Sequence, residues 1–166
     1  PRGLRAAAAR NAALDAAARG LRQVVASVDA RLLAELKALY RPSPAVHGVL
    51  QVVMHALAGI SPSVKDPPRD TDWRSCQRMV GNAAAFVSHL EAVPDWVASG
   101  HRGGILRAWE HSRRLRAQLG AAWSAEEVRS KSACAGRLFA YTGALFAYWE
   151  LLAEHAADAD ADDAAD

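Results

Sequence analysis

The run Leu32-Leu33-Ala34-Glu35-Leu36-Lys37-Ala38-Leu39-Tyr40, followed at once by Arg41-Pro42-Ser43-Pro44-Ala45-Val46, joins two different kinds of helix. Upstream of it, residues 4–40 contain no proline and one internal glycine, Gly20, and are rich in alanine, leucine and arginine. Such a composition predicts one long helix. Its larger apolar residues recur every seven positions at Leu14, Leu21 and Val28, with Ala18, Val25 and Leu32 four positions after each. That is the seam of a coiled coil. Leu33, Leu36 and Tyr40 continue the seam one residue out of step, and Glu35 stands where the old register asks for an apolar group. The pattern therefore predicts a register shift near residue 33. It also fits a helix that enters a globular domain and widens its apolar face.

Pro42 and Pro44 end that helix, because proline lacks the amide donor and restricts the residue before it. Ser43 is placed to cap a second helix with Pro44 at its first position. This helix carries Val46, Val49, Leu50, Val53, Met54 and Leu57 and is expected to end near Gly59. Residues 60–72, with three prolines and five charged side chains, read as a loop. Short helices follow over 73–80 and 83–92, and Pro94 is expected to open a linker that runs through Gly104. A more polar helix over 105–119 shows Ile105, Trp109, Leu115 and Leu119 on one stripe and arginines around it. Ser124 and Glu127 have capping-box spacing. From Val128 to about His155 the sequence predicts one further helix, the best buried of all, with Leu138, Phe139, Tyr141, Leu145, Phe146, Tyr148, Trp149 and Leu152 on a broad face. No segment alternates as a strand does, so the fold class is all-α.

The 166 residues suit one domain of ordinary size, or a smaller one with an extension. Alanine supplies 38 of them, so the large core formers are concentrated away from the alanine-rich ends. The net charge of +2 hides an asymmetry: residues 1–149 hold 20 Lys and Arg against 11 acids, net +9, while residues 150–166 hold seven acids and no Lys or Arg. A basic body of this kind suits a polyanionic partner. Two distant cysteines, Cys76 and Cys134, and the absence of an apolar leader point to a reduced, intracellular protein. The abrupt start and the Asp/Ala-rich end suggest an excised piece. No apolar run reaches the roughly 18 to 20 residues that span a bilayer.

Chemistry is sparse. The histidines show no HExxH or Cys/His spacing, His47 and His55 lie two turns apart, and no phosphate-loop pattern occurs. Glu126 and Glu127 are adjacent and suit helix capping better than acid/base work. These features predict no metal, no cofactor and no catalysis. Arginine groups do stand out: Arg74 with Arg78, the cluster 113–116, and Arg129 with Lys131 and Arg137. Each alone reads as a solvated face, but together on a basic body they mark a binding module.

The order of these features resembles the stalk-tip microtubule-binding domain of dynein heavy chains. The likeness is carried by residues 32–46, by Asp72-Trp73-Arg74 before a short helix, and by Val128-Arg129-Ser130-Lys131-Ser132 leading to Gly136, Tyr141 and Tyr148. It spans roughly residues 10–155. The resemblance implies a small bundle of about six helices on an antiparallel coiled-coil stalk. Residues 1–40 would be the outgoing stalk helix, 41–147 the tip, and 148–166 the start of the returning helix with an acidic, disordered end. Tubulin would meet His47, Arg74, Arg78, Asn82, Glu126, Arg129, Lys131 and Arg137, and Leu14, Leu21, Val25, Val28, Leu32, Leu33 and Leu36 would set the stalk register. His47 stands where family members commonly carry lysine, and Asn82 and Ser130 where cytoplasmic forms carry arginine. With the alanine usage, this leans toward an axonemal chain of a cilium or flagellum, with an accessory light chain as a second partner. Two other expectations stay open: a basic helical module for nucleic acid, and a helical scaffold.

Overall fold

The computed structural model describes residues 2–165. Among them are eight α-helices and no strand: α1 (Arg2–Ala26), α2 (Ala30–Lys37), α3 (Pro44–Leu57), α4 (Trp73–Met79), α5 (Ala83–Ala98), α6 (Gly103–Leu119), α7 (Ala125–Lys131) and α8 (Ala133–Ala165). A single 3₁₀ turn, Gly120–Ala122, follows α6. The protein is all-α, as its periodicity predicts. Six of the helices begin at a side chain that accepts an otherwise orphaned amide: Asp29, Ser43, Asp72, Asn82 and Ser124 for α2, α3, α4, α5 and α7, and Ser132, which accepts from Ala135 N–H, for α8.

Helices α1 and α8 run antiparallel. Arg10 pairs with Asp158 at 3.1 Å, while at the other end the Arg137 guanidinium donates to the Ser27 carbonyl. Between these two helices the chain makes the remaining six. The predicted seam faces the core: Leu21, Val25, Val28, Leu33 and Leu36 are buried, with Leu14 and Leu32 packed at its margin.

The single helix expected over residues 4–40 is instead two. The Ser27 and Val28 amides close tight turns onto the Val24 and Val25 carbonyls, and the Asp29 carboxylate then accepts from Leu32 N–H and starts α2. The change of apolar register is thus a helix break at residues 27–29. It lets Val28 and Leu33 both enter the core.

The expected linker from Pro94 is likewise replaced, because α5 runs through the proline to Ala98. Proline ordinarily strips the fourth preceding carbonyl of its donor. Here that carbonyl belongs to Leu90, and the buried Tyr141 hydroxyl of α8 donates to it at 2.7 Å. The helix expected from Val128 to His155 is also divided, with Ser132 between α7 and α8. Finally, the best-buried helix is α3, not the last one: ten of its 14 residues are buried, against seven of 33 in α8. It packs against α4, α5, α6, α7 and α8, so it needs apolar groups on nearly every side. The acidic end is helical to Ala165 and largely exposed.

Candidate functional site

The surface that the resemblance points to is built around the first turn of α3. The Ser43 hydroxyl accepts from Val46 N–H, and Pro44 fixes the entry angle of the chain. On one side this turn faces α7: Ser43, Pro44 and Ala45 share a cleft of about 190 Å³ with Leu119, Ala122, Glu127 and Lys131. On the other side it faces α4, where the His47 ring meets Trp73 edge-on with centroids 5.9 Å apart. One helix start therefore connects two of the three basic groups read from the sequence.

Helix α7 has seven residues, anchored by the buried Val128. Glu126, Arg129 and Lys131 are exposed around that anchor. What fixes α7 on α8 is Gly136, where an added Cβ would lie 3.0 Å from the Arg129 Cα. A side chain there would push α7 outward by a few tenths of an ångström, so the backbone of α7 rests close on α8.

Helix α4 exposes Arg74 and Arg78, and the Arg78 guanidinium donates to the Ser75 hydroxyl at 3.2 Å. The helix is tied to the end of α2: Gln77 Nε2 donates to the Lys37 carbonyl at 2.8 Å and Trp73 Nε1 to the Leu39 carbonyl at 2.8 Å. Lys37 Nζ in turn donates to the Gly81 carbonyl. The end of α2 and the helix that carries these arginines are thus joined by three hydrogen bonds.

Besides Arg78, three of the candidate residues have intramolecular work. His47 Nε2 donates to the Thr71 carbonyl at 2.8 Å, an acceptor it shares with Gln51, and so straps the 58–72 loop to α3. The Asn82 side chain accepts from Ala85 N–H as the cap of α5. Arg137 has its guanidinium on the Ser27 carbonyl, at the α1 break, and does not line the α3–α7 cleft. All the candidates but the half-buried His47 are exposed, and Arg74, Glu126, Arg129 and Lys131 are exposed on α4 and α7.

The positive charge of the body is largely uncompensated. Among the described residues, two ion pairs form, Arg10 with Asp158 and Arg107 with Asp66. Arg113 lies over the Trp109 ring, 4.8 Å from its centroid, at the edge of a groove between α6 and α8.

A polar seam that the sequence reading missed runs between α3 and α6. The rings of His55 and His111 stand 5.4 Å apart, and His111 Nε2 is 3.0 Å from the Gln51 side-chain oxygen. Burial, with His111, Arg107 and Arg114 nearby, lowers the pKa of His55 from 6.5 to about 4. Burial and Arg114 lower that of His111 as well. Both rings are neutral near pH 7. The spacing of Gln51 and His55 on α3 was visible in the sequence, but their partner on α6 was not.

Burial pushes both thiols, Cys76 and Cys134, up to about 12, so neither is a ready thiolate. Among the described residues no three His, Cys, Asp or Glu side chains are grouped to hold a metal. No described helix is long and apolar enough to cross a membrane.

Fold and surface together define a class: a small helical bundle in which six helices lie between two antiparallel ones, with exposed cations on α4 and α7. No protein-family model matches the chain, and neither a curated protein nor a solved structure matches it.

Proposed function

We propose that this chain is the microtubule-binding tip of a dynein-type motor, working without catalysis of its own and without a cofactor. The observation that carries the reading is the cleft shared by the Pro44 helix start and α7. It brings residues 43–45, within the first stretch that resembles the dynein tip, against Lys131, in the last such stretch. Arg129 and Lys131 on one side and Arg74 and Arg78 on the other supply exposed cations for the acidic surface of tubulin. Exposed charges of this kind steer association and weaken with ionic strength. The cellular setting that follows is the cytoskeleton, within a ciliary or flagellar axoneme.

Switching would come through the stalk. The break at residues 27–29 is held by the Arg137 guanidinium and leads directly into α2, whose end is bonded to α4. Sliding α1 along α8 would exchange seam residues, move that break and carry α4 with it, giving the tip two packings of different affinity.

Reversing the α7 charges tests the binding reading. Arg129→Glu with Lys131→Glu is expected to weaken co-sedimentation with microtubules at least about tenfold, with the helical circular-dichroism signal retained. Glu126→Lys should strengthen it. Unchanged pelleting by both variants would overturn the assignment of α7 to the interface.

A further inference from the structure

The loop between α3 and α4 (residues 58–72) forms one wall of a cleft of about 190 Å³, with α4 as another. The loop is pinned at both ends. Its start is fixed by Ser61 N–H on the Leu57 carbonyl and by the buried Val64 side chain. Its end is fixed by His47 and Gln51, which both donate to the Thr71 carbonyl. Pro62, Pro67 and Pro68 stiffen the part between. The groups around the cleft are therefore presented by a set backbone.

Three of those groups are cations, Lys65, Arg69 and Arg78. None of them takes part in the ion pairs formed among the described residues. Asp70, the one carboxylate lining the cleft, has an oxygen accepting from Asp72 N–H at 3.0 Å. The three cations outnumber the carboxylates near them, Asp70 in the lining and Asp72 at the start of α4, whose charge acts on Arg78. Two hydroxyls, Ser63 and Ser75, complete the polar wall, and the Ser75 oxygen already holds the Arg78 guanidinium in place. Opposite them Met54, Val64 and Pro68 make an apolar wall.

We propose that this cleft binds a phosphate monoester. Three cations, two of them guanidiniums, together with two hydroxyls offer more donors than one carboxylate can use, and a phosphate has the oxygens to accept from them. The apolar wall suits the carbon stem that bears the phosphate. The volume is small beside the roughly 300–1,000 Å³ of pockets for drug-sized ligands, which fits one phosphate and its stem and not a nucleotide. The same chemistry is offered by a free phosphate ester and by a phosphoseryl side chain of a protein. The inference does not depend on tubulin binding, although Arg78 serves both surfaces.

The test is a nuclear magnetic resonance titration of the isotope-labelled chain at constant ionic strength. Its arms are inorganic phosphate, O-phosphoserine, a phosphoserine peptide and the same peptide with glutamate. Shifts concentrated in residues 63–78, saturating with the phosphate-bearing probes and at least about tenfold weaker with glutamate, are expected. Tighter binding of the peptide than of O-phosphoserine identifies a protein source, and equal binding a small ester. Arg69→Ala should weaken phosphate binding about tenfold and leave microtubule pelleting unchanged, which separates this site from the tubulin surface. No saturable shifts, equal shifts around Arg113 and Arg116, or full binding retained by both Arg69→Ala and Arg78→Ala would overturn the proposal.

Discussion

Tyr141→Phe removes one oxygen from the centre of the molecule and asks how α5 survives its proline. The Tyr141 hydroxyl donates to the Leu90 carbonyl at 2.7 Å in a fully buried contact, and Pro94 brings no N–H to that carbonyl. Burial holds the phenol far above its ordinary titration range, so it stays a donor at every working pH. Without it the carbonyl is left in an apolar surround formed by Leu90, Val93 and Leu138, which are 0% exposed. An unsatisfied buried acceptor costs about 1–3 kcal/mol. At about 2–4 °C per kcal/mol for a chain of this length, a loss of about 2 kcal/mol lowers Tm by about 4–8 °C. The control is Pro94→Ala, which returns an N–H four residues after Leu90. In that background Tyr141→Phe should cost under about 1 kcal/mol, a coupling of about 1 kcal/mol readable from a double-mutant cycle in urea. If Tyr141→Phe costs less than about 0.5 kcal/mol, or costs the same with and without the proline, the explanation of the continuous α5 is wrong.

Three further outcomes follow from the packing. Gly136→Ala places a Cβ 3.0 Å from the Arg129 backbone; it should destabilise the fold by about 1–3 kcal/mol in urea titrations and, by displacing α7, weaken microtubule pelleting. His55, neutral in the fold with a pKa near 4 against 6.5 when unfolded, makes stability full above about pH 6.5 and lets it fall as pH drops toward 4. The ring is partly solvated, which trims the loss to about 1–2 kcal/mol, and His55→Gln should flatten that part of the urea-midpoint profile. Crosslinking the stalk checks the switch: Arg10→Cys with Asp158→Cys, joined by a short bis-maleimide that spans the reach of the native ion pair, fixes the register described here, and Arg10→Cys with Asp162→Cys joined the same way fixes one shifted by about a helical turn. The native thiols are buried and do not compete. Microtubule affinities at least about tenfold apart are expected, and equal affinities would remove register as the control.

Much of this architecture was legible in the chain because caps and apolar spacing are local signals. Ser43 with Pro44, Asp72, and Ser124 with Glu127 each mark a helix start that the structure places within a residue or two. The breaks that escaped notice are those where local rules conflict. Asp29 is a good cap, but Val28 continued the heptad and concealed it. Ser132 caps α8, but the aromatic run beyond it favoured one unbroken helix. Pro94 is a local stop that a residue 47 positions later overrides, and nothing near Pro94 announces Tyr141. The same division holds for the surface. The basic groups at 74–78 and 129–131 could be read directly from composition. That His47 would strap a loop to α3 depended on the Thr71 carbonyl arriving beside it. The place of Arg137 at the Ser27 carbonyl depended on α1 ending where it does.

The central claim is that this basic tip binds tubulin and not polyanions in general. Co-sedimentation with microtubules at low and at moderate salt, with and without an RNA competitor, tests it most directly. The account predicts saturable pelleting at low salt, a clear loss of affinity at moderate salt, and little displacement by RNA. Failure to pellet at low salt, or displacement by RNA at matched charge concentration, would contradict it.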